Sequence, residues 1–129
     1  MGLKLDFSKF IQEIFEREKD VIYVIVVNKL YKLLASDIRK DAEVYLPSQA
    51  FLNFAQITPP LVLDALERLE PALGRISAIF VRYQKRSLLF NRLGDDMAAI
   101  LGLDSRAETP VLDRLAQVIE HAMEQSQQR

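Results

Sequence analysis

The chain has 129 residues, of which 50% are hydrophobic and 27% charged, so it can fold as one compact domain and is not a disordered tail protein. Its formal net charge of -1 gives no general attraction to nucleic acid or to anionic membranes. The absence of cysteine excludes disulfides, thiolate zinc sites and a cysteine nucleophile. We expect one domain over residues 1–129 that neither binds nucleic acid nor inserts into a membrane.

The first predicted element is an amphipathic helix that ends in the charged run from Glu16 to Asp20. Its apolar residues recur at the spacing of one helical face: Phe7, Phe10, Ile11, Ile14 and Phe15. Asp6 is the predicted N-cap, because its carboxylate can accept hydrogen bonds from the free N–H groups of the first turn.

A hairpin follows in the stretch "VIYVIVVNKLYKLLAS". Its first arm, Val21–Val27, has no charge and is rich in β-branched residues, which favours a strand buried on both faces. Asn28 and Lys29 form the predicted turn, since asparagine tolerates a positive φ. The second arm, Leu30–Ser36, has mixed polarity and is expected nearer a sheet edge, and residues 37–46 are predicted to be an irregular connection.

Residues 47–74 predict a helical crossover in two pieces. The Pro59–Pro60 pair would break one continuous helix, whereas Thr58 before it is a normal start for a new helix. Pro71 and Gly74 are expected to close the second piece. Apolar residues of the crossover recur at helical spacing: Phe51, Phe54, Ala55, Leu61, Ala65, Leu66 and Leu69.

Three more strands are predicted at about 75–83, 87–93 and 97–103, because apolar and polar residues alternate there between turn signals. A last helix is predicted to start at Thr109, and its polar tail, residues 125–129, is expected to fray. Five strands with helices before, between and after them predict an α/β protein of the α+β type. We expect a single five-stranded antiparallel sheet with helices packed on both faces.

Catalytic and metal motifs are sparse. His121 is the single histidine and has no second imidazole at ligand spacing, so we expect it to be a partly exposed residue without a catalytic or metal role. Asp95 and Asp96 follow Gly94 in a pattern typical of a turn. The glycine spacing matches no nucleotide-binding loop. No cofactor is expected, and an enzyme with a dispersed carboxylate site is only the third of three functional hypotheses.

A local group of basic and aromatic residues surrounds the predicted turn after strand 75–83: Arg82, Tyr83, Lys85, Arg86, Phe90 and Arg92. Such a mixture can form a surface for single-stranded nucleic acid. Solvated charges at a hairpin tip, with aromatics directed to the core, explain it equally simply. We favour this second interpretation because the chain as a whole is not basic.

The stretch "ISAIFV", Ile76–Val81, is apolar enough to pair with another strand if it lies at a sheet edge. Self-association is the economical explanation for such a strand. The alternative is that the broken crossover covers this surface within one subunit.

The order of the elements, together with "VIYVIVVNKLYKLLAS" and "VRYQKRSLLFNRLGDDMAAILGLD", resembles the Roadblock domain of dynein light chains and of bacterial and archaeal small-GTPase regulators. Ala35–Ser36 match the end of the family's first hairpin, and Gly94–Asp96 match a "GDD" before its last strand. The chain departs from the family at Asn28–Leu30, where an acidic turn containing glycine is usual. It departs again at Thr58–Pro60, which interrupts a middle helix that is generally continuous.

The resemblance covers nearly the whole chain and implies a Roadblock/profilin-like fold and a non-enzymatic module. We expect the protein in the cytoplasm, because its start, "MGLKLDFSKF", has no basic leader followed by an apolar core and the lack of cysteine fits a reducing compartment. It implies a homodimer or heterodimer joined through strand 75–83 across a two-fold axis, which regulates or scaffolds a Ras-like small GTPase. The expected interface residues are Phe51, Phe54, Ile79, Val81 and Tyr83. The alternative function is a small-ligand sensor of the PAS type, which has a similar element order and would explain the broken crossover.

Overall fold

The computed structural model describes residues 6–30, 32–39, 65–84, 86–104 and 109–127. Within this part, no helix is both long and apolar enough to cross a membrane. Residues 65–67 are also helical. The elements in chain order are α1 (Phe7–Arg17), β1 (Val21–Asn28), β2 (Leu33–Ile38), α2 (Glu70–Leu73), β3 (Ala78–Arg82), β4 (Arg86–Leu93), β5 (Met97–Asp104) and α3 (Thr109–Gln127).

One five-stranded antiparallel sheet organises the fold, with the strand order β2-β1-β5-β4-β3. The predicted α+β class with a single sheet is confirmed. β1 lies inside the sheet and is buried from Val21 to Val27, which confirms the prediction made from its β-branched residues. β2 and β3 are the two edge strands, so the expected position of the second hairpin arm is also confirmed.

Each face of the sheet carries its own apolar cluster. On the helix face, buried residues of β1, β4 and β5 pack against residues of α1 and α3, including Phe10, Ile14, Leu115 and Ile119. The opposite face, which we call the distal face, has a second cluster: Ile22, Tyr23, Ile25, Val27, Phe90, Ala98 and Ile100. Arg92 shares this face with Phe90 and pairs with Glu67 and Glu70 of the helical residues, which confirms that helices lie on both faces.

The first helix forms as predicted. Asp6 is its N-cap, and the Lys9 N–H donates to the Asp6 Oδ1 at 3.1 Å. The predicted apolar stripe faces the sheet, with Phe10, Ile11 and Ile14 buried. A cap of this kind typically stabilises a helix by about 1 kcal/mol.

The turn after β1 is longer than the two residues predicted. The Asn28 N–H donates to the Lys32 carbonyl at 2.9 Å, and the Asn28 Oδ1 accepts from the Leu30 and Lys32 N–H groups at 2.9 and 3.0 Å. β2 therefore begins at Leu33 instead of Leu30. It also continues to Ile38, so the prediction that the connection begins at residue 37 is wrong for its first two residues.

Pro71 does not close a helical piece, as the sequence predicted, but lies in the first turn of α2, where its missing N–H breaks no hydrogen bond. Gly74 does end the helix, with a φ of 85° that favours glycine. The predicted break at Thr58–Pro60 lies outside the described residues.

The three later strands are confirmed, although β3 is shorter than the predicted strand 75–83. Gly94, in the turn between β4 and β5, has a φ of 69°. α3 begins at Thr109 as predicted and continues to Gln127. Fraying of residues 125–129 stays a prediction.

A buried carboxylate joins α1 and α3 to the sheet. Glu18 is 4% exposed, and the Arg114 Nε and Nη2 donate to its two oxygens at 2.6 and 3.1 Å. Arg39, directly after β2, donates to the carbonyls of Phe15, Glu18 and Val21 at 3.0, 2.8 and 2.9 Å. The two Arg114 bonds offset the cost of burying the Glu18 charge, and the Arg39 bonds hold the end of α1 to the sheet.

Candidate functional site

The predicted interface strand lies at an edge of the sheet. β3 pairs with β4 on one side, with Ile79 opposite Phe90 and Val81 opposite Leu88. No described strand lies on its other side. The prediction that this segment lies along the rim of the sheet is therefore confirmed for Ala78–Arg82.

The backbone groups of β3 alternate in direction. The Tyr83 N–H donates to the Arg86 carbonyl at 2.9 Å. The Arg92 N–H donates to the Ser77 carbonyl at 2.9 Å. Hydrogen-bonded and non-hydrogen-bonded pairs alternate along an antiparallel ladder, so the odd-numbered residues of β3 bond to β4. The N–H and C=O groups that point away from the sheet belong to Ala78, Phe80 and Arg82.

Three predicted interface residues lie together on the distal face of β3. Ile79 is half-buried and packs against the distal cluster, whereas Val81 and Tyr83 are 41% and 50% exposed. The side chains of Val81 and Tyr83 therefore present apolar surface beside the outward backbone groups. Phe51 and Phe54, the other two predicted residues, lie outside the described part of the chain.

The helix face of β3 adds one aromatic and one cationic side chain. Phe80 is half-buried and packs at the margin of the helix-face cluster. The Arg82 guanidinium carbon lies 5.5 Å from the centroid of the Phe80 ring, which is cation–π distance. Both faces of the edge therefore carry side chains able to pack against another strand.

The opposite edge, β2, differs in its backbone. The Arg39 N–H donates to the Ile22 carbonyl at 2.8 Å, and the same alternation directs the backbone groups of Ser36 and Ile38 outward. The Ile38 N–H, however, donates to the Asp37 Oδ1 at 2.8 Å. A carboxylate therefore occupies one of the donors that an added strand would need.

A buried tyrosine of β1 lies in the same row of the distal face as Val81 of β3. Tyr23, Gly102, Leu88 and Val81 face one another in a row across four strands. The Tyr23 ring covers Gly102 so closely that a Cβ there would lie 2.1 Å from a ring carbon. Burial raises the pKa of the Tyr23 hydroxyl, and nearby Tyr83 raises it further. This contact was not predicted from the sequence, although a glycine inside a strand pattern is a known sign of close approach.

The basic residues near the β3–β4 turn do not form one patch. Arg82 and Arg86 are exposed at the turn, but Arg92 lies at the far end of β4 and pairs with Glu67 at 2.7 Å. Phe90 is buried in the distal cluster. Lys85 lies outside the described residues. The interpretation as solvated charges beside core aromatics therefore fits the described residues better than a nucleic acid surface.

A cleft of about 180 Å³ lies where β1, β4 and β5 reach the turn at Gly94. Charged residues dominate its lining, but several are paired with one another. Arg92 contacts Glu67, and Arg75 forms an ion pair with Asp95. The first pair attaches residues 65–67 to the sheet, and the second restrains the turn.

His121 lies exposed on α3, beside an open groove of about 620 Å³ between α1 and α3. The groove is lined by polar side chains of both helices, including Lys9, Glu13 and Arg17. No three His, Cys, Asp or Glu side chains of the described ranges are grouped as metal ligands.

Neither a family model nor a curated protein sequence matches this chain. Solved structures match its fold. The gliding protein MglB from Thermus thermophilus is 14% identical over 100% of both chains, with a TM-score of 0.74. An MglB with a tetrameric arrangement is also 14% identical, over 99% of this chain and 98% of that chain, with a TM-score of 0.74.

A Roadblock/LC7 domain from Streptomyces avermitilis is 10% identical over 88% of this chain and 91% of that chain, with a TM-score of 0.64. At these identities the similarity is one of fold. The chain has the fold of Roadblock/LC7 domains, which confirms the fold that the sequence resemblance implied.

Proposed function

We propose that this protein is a non-enzymatic, dimeric module that regulates or scaffolds a Ras-like small GTPase. The observation that carries the proposal is the edge position of β3 in a sheet with the Roadblock/LC7 fold. This is the strand through which the Roadblock resemblance implies dimerisation. The resemblance also implies the GTPase as partner.

The edge of β3 supports self-association. Its outward backbone groups, on Ala78, Phe80 and Arg82, have no hydrogen-bonding partner among the described residues, and a strand of a second copy would supply one. The same contact would cover the exposed surface of Val81 and Tyr83. Ile79, Val81 and Tyr83, with Phe51 and Phe54, remain the proposed interface. The tetrameric arrangement of one MglB structure supports assembly of copies with this fold.

The GTPase partner follows from the family resemblance. The same resemblance implies a module that acts by positioning residues of the GTPase. No arginine is assigned as a catalytic finger. Regulation and scaffolding differ in their effect on hydrolysis, so binding and hydrolysis have to be measured separately.

Dimerisation is tested by sedimentation equilibrium between about 1 and 50 µM, a range that covers the dissociation constants of ordinary specific dimers. We expect twice the monomer mass across most of this range. A monomer at the highest concentration would overturn the dimeric module.

GTPase binding is tested with the small GTPases of the source organism, each loaded with GDP or with a non-hydrolysable GTP analogue. We expect one of them to bind in a nucleotide-dependent manner, and single-turnover hydrolysis then separates a regulator from a scaffold. Val81→Asp, which places a charge in the proposed interface, should weaken dimerisation. The matched control Ser36→Asp, on the other edge, should not. Absence of binding to every GTPase in both nucleotide states would overturn the proposal.

The small-ligand sensor of the PAS type stays the alternative. The described residues do not favour it, because Ile25, Phe90 and Ile100 fill the middle of the distal face and are 5%, 8% and 5% exposed. Native mass spectrometry of freshly purified protein decides the point. We expect the mass of the protein alone, and a bound small molecule would favour the sensor.

A further inference from the structure

We infer that residues 65–73 form a strap over the cleft of about 180 Å³ at the end of β1, β4 and β5, held shut by Arg92 and able to open about Gly74. The strap comprises the helical residues 65–67, the turn that follows them and α2. When it opens, it uncovers the apolar lining of the cleft, which is formed by Phe90, Met97 and Ala98. This inference does not depend on the proposed dimer or on its GTPase partner.

The strap is one hydrogen-bonded unit. The Leu69 N–H donates to the Leu66 carbonyl at 3.0 Å, and the Leu73 N–H donates to the Leu69 carbonyl at 2.9 Å. The Gly74 N–H donates to the Glu70 carbonyl at 2.8 Å. Among the described residues, no backbone hydrogen bond joins the strap to a strand. The strap can therefore leave the sheet as a unit without disturbing the strand ladders.

Apolar packing contributes little to the attachment of the strap. None of residues 65–73 is buried. Its leucines lie mostly in solvent, with exposures of 36% for Leu66, 52% for Leu69 and 77% for Leu73. Segments with few buried apolar contacts open at a much lower free energy than the core of the same protein. The strap is therefore held to the sheet mainly by polar contacts.

Arg92 supplies these polar contacts. It lies on the distal face of β4, and its side chain is 18% exposed. Its Nη2 lies 2.7 Å from the Glu67 Oε1 and 3.8 Å from the Glu70 Oε1. One guanidinium thus holds both helical parts of the strap. Ion pairs between partly exposed charges are weak and are screened by salt, so we expect the closed strap to be sensitive to ionic strength.

Gly74 is suited to be the hinge. Its φ of 85° favours glycine, and among the described residues beyond its chain neighbours no heavy atom lies within 4 Å of the position that a Cβ would take. The chain directly after it is fixed to the sheet. Arg75 forms an ion pair with Asp95, and the Ser77 carbonyl accepts from the Arg92 N–H at 2.9 Å. Opening is therefore confined to the strap side of Gly74.

Thiol labelling tests whether the strap covers the cleft, since the chain has no cysteine of its own. Ala98 and Ala99 are neighbours in β5, but Ala98 lies in the distal cluster and lines the cleft, whereas Ala99 lies in the helix-face cluster. Ala98→Cys should react with a monofunctional maleimide about 5-fold faster when it is combined with Glu67→Ala and Glu70→Ala, because both ion pairs of Arg92 are lost. Ala99→Cys is the matched control, and the same two substitutions should leave its labelling rate unchanged.

Salt gives a second measurement that leaves the strap and Arg92 as they are. Raising sodium chloride from about 0.1 M to about 1 M shortens the Debye length from about 10 Å to about 3 Å. The labelling rate of Ala98→Cys should therefore rise in the presence of both glutamates. It should not rise further in the variant that lacks Glu67 and Glu70. Ala99→Cys again corrects for effects of salt on the reagent and on the whole fold.

Faster labelling of Ala98→Cys alone, both after loss of the two glutamates and at high salt, is the expected result. If the labelling rate of Ala98→Cys stays the same under either condition, Arg92 does not hold a strap over the cleft. If Ala99→Cys is accelerated as much as Ala98→Cys, the whole fold loosens, and the strap is overturned as well. None of these results bears on the dimer, which sedimentation equilibrium measures separately.

Discussion

The two edges of the sheet, β2 and β3, are both exposed but differ in what their backbones offer. β2 has comparably exposed apolar side chains, with Leu33 at 51% and Leu34 at 41% exposure against 41% for Val81 and 50% for Tyr83 at the β3 edge. Its Ile38 N–H, however, is occupied by the carboxylate of Asp37. In β3 the outward groups of Ala78, Phe80 and Arg82 make no comparable local contact in the described part of the chain. We therefore expect free donors and acceptors, more than exposed apolar area, to determine which edge accepts a strand.

The largest expected effect comes from removing one outward donor of β3. Ala78→Pro deletes the Ala78 N–H, and proline is tolerated at the first residue of an edge strand. Because each copy loses one interface bond worth about 1 to 1.5 kcal/mol, we expect the dissociation constant to rise about 100-fold by sedimentation equilibrium.

The matched control for this variant is Ser36→Pro, which deletes an outward donor on β2. We expect its dissociation constant to equal that of the wild type. If both proline variants weaken the dimer equally, the distinction between the edges is wrong.

A substitution in the interior of the sheet, Gly102→Ala, should change the free energy of unfolding without changing the groups at either edge. Gly102→Ala places a Cβ within 2.1 Å of the Tyr23 ring, and overpacking of this kind costs about 2 kcal/mol. Urea unfolding, carried out in the Ala78→Pro background so that dimerisation adds no stability, should show this loss. In a Tyr23→Leu background the loss should become smaller, since the ring that collides is gone. If Gly102→Ala destabilises the Tyr23→Leu background as much as the Tyr23 background, the contact between the Tyr23 ring and Gly102 is not the cause of the loss.

Unblocking β2 is expected to have a smaller effect. Asp37→Ala frees the Ile38 N–H, which a strand of another copy can then use, and one hydrogen bond is worth about 1 kcal/mol. We expect light scattering at high concentration to show species larger than a dimer. Asp37→Asn keeps an acceptor oxygen and should behave like the wild type. Larger species in the asparagine variant would mean that the charge of Asp37, not its hydrogen bond, protects this edge.

The smallest expected effect is on the free energy of unfolding at alkaline pH, and it comes from the buried hydroxyl of Tyr23. Burial raises the pKa of Tyr23 above its ordinary value of 10.0, so above pH 10 the unfolded chain loses this proton before the folded chain does. The free energy of unfolding should therefore fall as pH rises above 10, by less than about 1 kcal/mol at pH 10.5. Tyr23→Phe should remove this part of the loss. If the free energy of unfolding of Tyr23→Phe falls between pH 8 and 10.5 by as much as that of the wild type, the burial of Tyr23 is not the cause.

Much of the architecture was predictable because it depends on neighbours in the chain. The uncharged β-branched run predicted the buried β1, the Asp6 cap predicted the start of α1, and alternation predicted the later strands. The longer turn after β1 was missed because the Asn28 side chain makes its own hydrogen bonds with Leu30 and Lys32. The position of Pro71 was predicted wrongly, because proline occurs both in the first turn of a helix and just after the end of one.

The candidate site was predictable only in part. The apolar stretch before Tyr83 indicated a strand that needs a partner. The alternation that directs Phe80 outward depends on how β3 bonds to β4, and the blocked donor of β2 depends on the orientation of the Asp37 side chain. Neither property follows from residue types alone.

Local sequence patterns were enough to determine the kinds of element and their order, since hydrophobic periodicity, caps and turn residues act over a few positions. Long-range packing was needed to place β1 between β2 and β5, to bring the Tyr23 ring over Gly102, and to leave β3 at the end of the sheet. These are contacts between residues far apart in the chain, and many alternative pairings satisfy the same local patterns. The packing of the whole sheet selects one of them.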